Sequence, residues 1–242
     1  MGAALGWGSL SAFSLVLGAL LALARRWPER AVGSVLAFGA GALISAVSFE
    51  LAQEGIRVGD RGSTAAGLAA GALVYYLLDG AVARIGSAGR GRSGRASGSN
   101  AGTPLALGAF LDGIPEQMVL GIGLAAGEGV SVGLLVAIFV SNLPEAAGSA
   151  SEMRTAGRDD RTILRLWLAV ATVCALASGV GFALADAVSD NLKAVIDGFA
   201  AGALLVMLVD SMIPDARRAA GRPAGLVTVL GFAVAAGLSF TS

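Results

Sequence analysis

"FLDGIPEQ" (Phe110–Gln117) lies inside a run that is otherwise apolar, and "VSNLPEAA" (Val140–Ala147) repeats its Pro-Glu step twenty-nine residues later. Proline, aspartate and glutamate are each costly inside a hydrophobic segment. Their recurrence in two neighbouring segments therefore asks for a chemical reason. The rest of the chain defines the setting. Of its 242 residues, 55% are hydrophobic and only 14% are charged, whereas a soluble domain carries about a quarter charged residues. The apolar residues fall in blocks of about twenty, the length that spans a bilayer. The chain reads as an integral membrane protein, with the lipid bilayer as its first partner.

Charged or Gly/Pro-rich breaks divide it into eight apolar segments: Ala3–Ala24, Ala31–Gln53, Ser63–Ala83, Pro104–Ala126, Val130–Glu152, Ile163–Ala185, Leu192–Ile213 and Pro223–Phe240. Each is about twice the length of a barrel strand, and a bilayer satisfies no backbone hydrogen bonds, so the segments are expected to be helices. The first run has no positive residue before it and Arg25-Arg26 after it, the reverse of a cleaved signal peptide. We read it as a retained span. The expected fold class is an all-α polytopic membrane bundle, residues 1–242 forming a single transmembrane domain.

Arginine and lysine test this division. Fourteen of the seventeen fall in the loops after spans one, three, five and seven, leaving Arg57, Arg61 and Lys193 for the other side. Positive charge favours the cytoplasm, so both termini are expected outside a cell membrane. The longest connection, residues 84–103, is rich in Gly, Ser and Arg and reads as a flexible cytoplasmic loop. There is also an internal echo. "FGAGALISAVSFE" (Phe38–Glu50) in span two resembles "FAAGALLVMLVDS" (Phe199–Ser211) in span seven. Those spans cross in opposite directions on the charge count, which suggests an inverted repeat, a common transporter plan.

Depth gives the Pro-Glu segments their chemistry. At about 1.5 Å per residue, Asp112 and Glu116 in span four and Ser141, Asn142 and Glu145 in span five lie near the midplane. A charge there costs at least about 2.5 kcal/mol and is by default functional. Asp112 and Glu116 are four residues apart and share a helix face, as do Ser141 and Glu145, while Asn142 is three from Glu145. Pro115 and Pro144 release the carbonyls of Leu111 and Val140 from helical hydrogen bonding. Two such antiparallel helices would enclose carboxylates, a hydroxyl, an amide and spare carbonyls, the hard oxygen donors of a cation site. Arg165 and Lys193 stand at the ends of their spans, and no arginine or lysine lies deeper in any span to pair with these carboxylates, although protonated carboxylates bonded to neighbouring helices would also account for them.

The eight spans, the loop after span three and the paired Pro-Glu segments resemble the ZIP (Zrt/Irt-like) divalent-metal transporters over nearly the whole chain. The family pattern in span four is His-Asn-x-Pro-Glu-Gly, and here it reads Asp112, Gly113, Ile114, Pro115, Glu116, Gln117. In span five it is commonly His-Glu-x-Pro-Glu-Gly, and here it reads Ser141, Asn142, Leu143, Pro144, Glu145, Ala146. The prolines and glutamates match, whereas the histidines and final glycines do not. The resemblance implies eight helices in a 3+2+3 arrangement with inverted repeats. It also implies a metal site built from Asp112, Glu116, Ser141, Asn142 and Glu145, with the two glutamates bridging when two metals are bound. Gly113 offers no side chain to the second metal position. Some members add a carboxylate from span six; here only Cys174 and Ser178 could substitute, and packing is the ordinary role of such a cysteine.

The leading expectation is a transporter that carries divalent zinc, iron or manganese into the cytoplasm, with the metal as substrate and no resident cofactor. The rival is a ZIP-like protein that has lost transport and acts as a sensor or structural partner, a reading the absence of histidine favours. An enzyme is not expected, because Ser141 with Glu145 is the only pair resembling a nucleophile and base. Nothing points to nucleic acid, and no nucleotide-binding loop suggests ATP coupling. A homodimer is compatible with the sequence. A site dominated by oxygen donors should bind several metals moderately and weaken in acid, since carboxylates must lose their protons to coordinate. Glu50 and Glu54 in span two and Asp210 and Asp215 in span seven fit either a path to this site or solvated helix ends.

Overall fold

The computed structural model describes residues 2–25, 27–88, 102–125, 132–185 and 189–239, without the side chains of 82, 83, 85–88, 102–112, 115 and 152. Among these residues every regular element is helical, which leaves no sheet edge to satisfy in lipid. In chain order the helices are α1 (Gly2–Ala24), α2 (Glu29–Val58), α3 (Arg61–Ala88), α4 (Gly102–Ala125), α5 (Val132–Thr155), α6 (Asp160–Ala185), α7 (Asp190–Ala220) and α8 (Ala224–Ser239). Six of them (α1, α2, α3 up to Ala81, α5, α6 and α7) are long and apolar enough to cross a membrane. The apolar stretches Glu116–Ala125 of α4 and Ala224–Ser239 of α8 are shorter. Most of the connection over 84–103 lies outside the described residues.

Local chemistry sets several helix ends. Asp60 caps α3: its carboxylate accepts from the Ser63 amide at 2.9 Å and the Ser63 hydroxyl at 2.6 Å. These bonds, the hydroxyl's first, hold the Asp60 carboxyl below its ordinary value. Ser189 caps α7 by accepting from the Leu192 amide at 3.4 Å. Gly221 ends α7 with a φ of 71°, a positive-φ conformation that glycine adopts without the steric cost a side chain would bring.

Burial separates central from peripheral helices. In α2, α5 and α7, 56% of the apolar window is buried, against 33% in α6 and 22% in α3. The outer helices turn Leu73, Tyr76, Leu77, Leu168, Leu176 and Val180 outward, an apolar surface suited to lipid. The principal packing partners are α3 with α7, α2 with α7, α8 and α5, α4 with α6, and α1 with α5 and α6.

The two echoing segments match in detail. A π-helical turn begins at Val47 in α2, nine positions after Phe38, and another at Leu208 in α7, nine positions after Phe199. Inserted π turns of this kind are rare and frequent at functional sites. Glycines next to these turns let backbones touch, as small residues do in membrane bundles. A Cβ on Gly41 would strike the Thr228 carbonyl of α8, and one on Gly202 would strike the Leu68 carbonyl of α3. Reciprocally, Gly231 of α8 lies against the Phe38 carbonyl and Gly71 of α3 against that of Phe199.

Candidate metal-binding site

The apolar residues around the Pro-Glu segments bury α4 and α5, and their polar residues are carried inward with them. Glu116 is 2% exposed, Ser141 1% and Asn142 3%, so none has surface water for its charge or dipole. Glu145 is half-buried. α4 and α5 touch one another, and α2 packs along α5. At that junction Gly39 replaces a side chain: a Cβ there would lie 3.0 Å from Ser141 Cα and 3.0 Å from the Met212 methyl. Span two, the π turn of span seven and the span-five motif therefore meet at Ser141.

Hydrogen bonds show what each group can offer. The Ser141 hydroxyl donates to the Ile138 carbonyl of its own helix at 3.0 Å, leaving its oxygen lone pairs for a cation rather than exposing a proton to a base. Asn142 Nδ2 and Ser45 Oγ have no hydrogen-bond partner among the described residues. A buried amide N–H in that state carries a desolvation cost of about 1–3 kcal/mol, which a hydrogen-bond acceptor would offset; toward a cation the Asn142 side chain can offer only its oxygen. α5 remains helical through Pro144. The irregular turns of the described backbone occur instead in α2 and α7.

The Asp112 side chain lies outside the described residues, although its backbone belongs to α4. Among the described residues, no group of three or more His, Cys, Asp or Glu side chains converges; Glu116 and Glu145 are the carboxylates of the two motifs that can be described. Two of the more distant acids are engaged in ion pairs near the ends of their own helices. Glu54 pairs with Arg57 at 2.6 Å and Asp215 with Arg218 at 2.8 Å, each within one helix. Glu50 is half-buried in the first π turn, and Asp210 is exposed in the second.

One acid escaped the sequence reading. Asp197 of α7 is 4% exposed, and its place inside the segment Leu192–Ile213 was the available signal. Gln117 stands where the family pattern has glycine. It is fully buried, and its amide Nε2 donates to Ser11 Oγ of α1 at 3.0 Å. Ser14 donates to the Ser11 carbonyl at 2.6 Å, and Ser178 of α6 donates to the Ala4 carbonyl of α1 at 3.1 Å. A polar seam thus joins α1, α4 and α6 behind the Pro-Glu segments.

The family model described as ZIP Zinc transporter matches residues 86–239, which include both Pro-Glu motifs and α4 through α8. The chain belongs to the ZIP family. It is also 29% identical over 181 residues to an Arabidopsis thaliana protein named "Putative zinc transporter At3g08650". That alignment covers 73% of this chain but only 29% of the plant protein, so this ZIP chain spans less than a third of that relative's length.

Proposed function

We propose that this ZIP protein moves divalent metal cations, with zinc, iron and manganese as candidates, down their gradient into the cytoplasm. The transport site would lie near the midplane between α4 and α5, formed by Asp112, Glu116, Ser141, Asn142 and Glu145. The observation that carries this reading is the burial of Glu116, Ser141 and Asn142 on two contacting helices, in a chain of the ZIP family. Burying a carboxylate is unfavourable unless a proton, a partner or a cation compensates, and a transported metal would supply that compensation. Metal binding requires the carboxylates to be ionised, so uptake should fall in mild acid.

The proposal includes eight spans in a 3+2+3 arrangement, with α1–α3 and α6–α8 as inverted repeats around α4 and α5. The matched registers of the two π turns and the reciprocal glycine contacts of α2/α8 and α7/α3 support it. Both termini would face out of the cell membrane, with the arginine-rich connections on the cytoplasmic side, and the chain would work as a transporter without enzymatic activity. Purified protein in liposomes, assayed with zinc, ferrous iron and manganese at neutral and mildly acidic pH, tests the reading. Saturable uptake of more than one metal, reduced in acid, is expected. Uptake no faster than in protein-free liposomes for every metal would favour a ZIP-like protein without transport.

A further inference from the structure

We infer that the outward face at the start of α6 holds an anionic phospholipid, with Arg161 and Arg165 on its phosphate and its acyl chains along Leu168 and Leu176. The inference goes beyond metal transport and uses only the orientation proposed above, in which this end of α6 is cytoplasmic. Positions 161, 165, 168, 172 and 176 recur every three or four residues, so they form one stripe along the helix. Ile163, Trp167, Val170 and Cys174 lie on the opposite side and are buried in the bundle. On the stripe Arg161 and Arg165 are exposed, Leu168 is 59% exposed and Leu176 is 55% exposed. Thr172, between the two leucines, donates its hydroxyl to the Leu168 carbonyl at 2.7 Å, so its one donor is satisfied within the helix. One face therefore passes from two cations to a bare apolar surface within about two turns. A phospholipid at the edge of a bilayer has the complementary profile.

The two arginines are held in place without being neutralised. Arg154 donates to the Leu23 carbonyl of α1 at 2.9 Å and lies 3.3 Å from the Asp160 carboxylate, which ties the start of α6 to the ends of α5 and α1. That contact engages the nearest acid of the helix, and Asp159 stands before the helix begins. Among the described residues neither Arg161 nor Arg165 has an ion pair. Arg25, exposed and two residues beyond Leu23, adds a third positive charge at the same end of the bundle. Like charges one turn apart on a helix repel each other, and a phosphate shared by both would replace that repulsion with charge-assisted hydrogen bonds. The planar guanidinium fork suits phosphate oxygens in a way that an ammonium group does not. A soluble phosphate could meet the arginines but would leave Leu168 and Leu176 uncovered, whereas a lipid covers both parts of the stripe.

Native mass spectrometry of the detergent-purified full chain tests this, with phosphatidylglycerol, phosphatidylcholine of the same acyl chains and soluble glycerol phosphate as probes. Wild type should retain phosphatidylglycerol in preference to the other two. Arg161→Gln/Arg165→Gln should bind it about thirtyfold less tightly, about fivefold for each arginine, the effect of one basic residue at an anionic surface. Arg217→Gln/Arg222→Gln removes the same charge from exposed positions on the same side and should lose much less. Equal losses in the two double variants would reduce the effect to diffuse surface charge and overturn the site. Equal retention of phosphatidylcholine would overturn it too, as would glycerol phosphate binding as tightly as the lipid, because the apolar stripe would then have no role. A wild-type dimer that Arg161→Gln/Arg165→Gln separates, with phosphatidylglycerol binding unaltered, would assign the face to a second copy of the chain instead. These readouts involve no metal, so the inference and the transport site can fail independently.

Discussion

Replacing Gly41 or Gly202 with alanine tests whether the bundle is organised around two equivalent close approaches. At each position the added methyl group would meet a backbone carbonyl, of Thr228 or of Leu68, with a backbone nitrogen of Phe232 or Ala72 behind it. A flexible side chain could rotate away from such a clash. A helix backbone has no such freedom, so the neighbouring helix must shift. Overpacking of this kind costs about 1–3 kcal/mol. For a chain of this length that lowers the melting midpoint by roughly 2–4 °C per kcal/mol. The two changes lie on different helix pairs, α2/α8 and α7/α3, so their effects should add in the double variant. Gly80→Ala is the control: among the described residues nothing lies within 4 Å of a Cβ there, and alanine improves helix propensity by up to about 1 kcal/mol. Thermal unfolding in detergent, followed by circular dichroism, measures all four proteins. Two tolerated substitutions, with midpoints no lower than that of Gly80→Ala, would refute the close-packing argument.

Asp112→His should shift competition among metals toward zinc, because imidazole suits zinc better than a carboxylate does; an unchanged ranking would remove Asp112 from the site. Gln117→Leu and Ser11→Ala should each lower stability, and their double-mutant cycle should show a coupling of about 1 kcal/mol, the worth of the buried amide–hydroxyl bond. A coupling near zero would mean that the α1–α4 bond contributes nothing. Asp60 has its pKa lowered in the folded state, so its cap is fully present at neutral pH and is lost as pH falls through the depressed value. Hydrogen exchange at the Ser63 and Thr64 amides should therefore stay slow until below the ordinary aspartate range, and Asp60→Ala should accelerate it at neutral pH.

Much of this organisation was legible because membrane burial is a strong filter on sequence. Continuous apolar runs gave the helices, and the Pro-Glu steps stood out as polar groups in the wrong solvent. Glu116, Ser141 and Asn142 are buried for the reason that made them conspicuous. The echo between Phe38–Glu50 and Phe199–Ser211 indicated a repeat, but nothing in its composition specified a π turn at Val47 or Leu208. Such an insertion depends on how the neighbouring helices pack, and a linear pattern does not carry that information. Helix ends were blurred for a related reason. α2 continues past Gln53 to Val58 and α7 past Ile213 to Ala220, because charged residues at a water-facing helix end stop the apolar run without stopping the helix. Position 113 illustrates the limit most clearly. In the sequence this glycine is only a missing side chain, whereas the packing of α6 brings Cys174 against it.

The central claim is that Glu116 of α4 and Glu145 of α5 carry a divalent metal across the membrane. Its most direct test is zinc flux into dye-loaded liposomes containing wild type, Glu116→Ala or Glu145→Ala, each matched for inserted and correctly folded protein. The account predicts saturable flux for wild type and flux at the level of protein-free liposomes for both variants. Wild-type rates in either well-folded variant would contradict it.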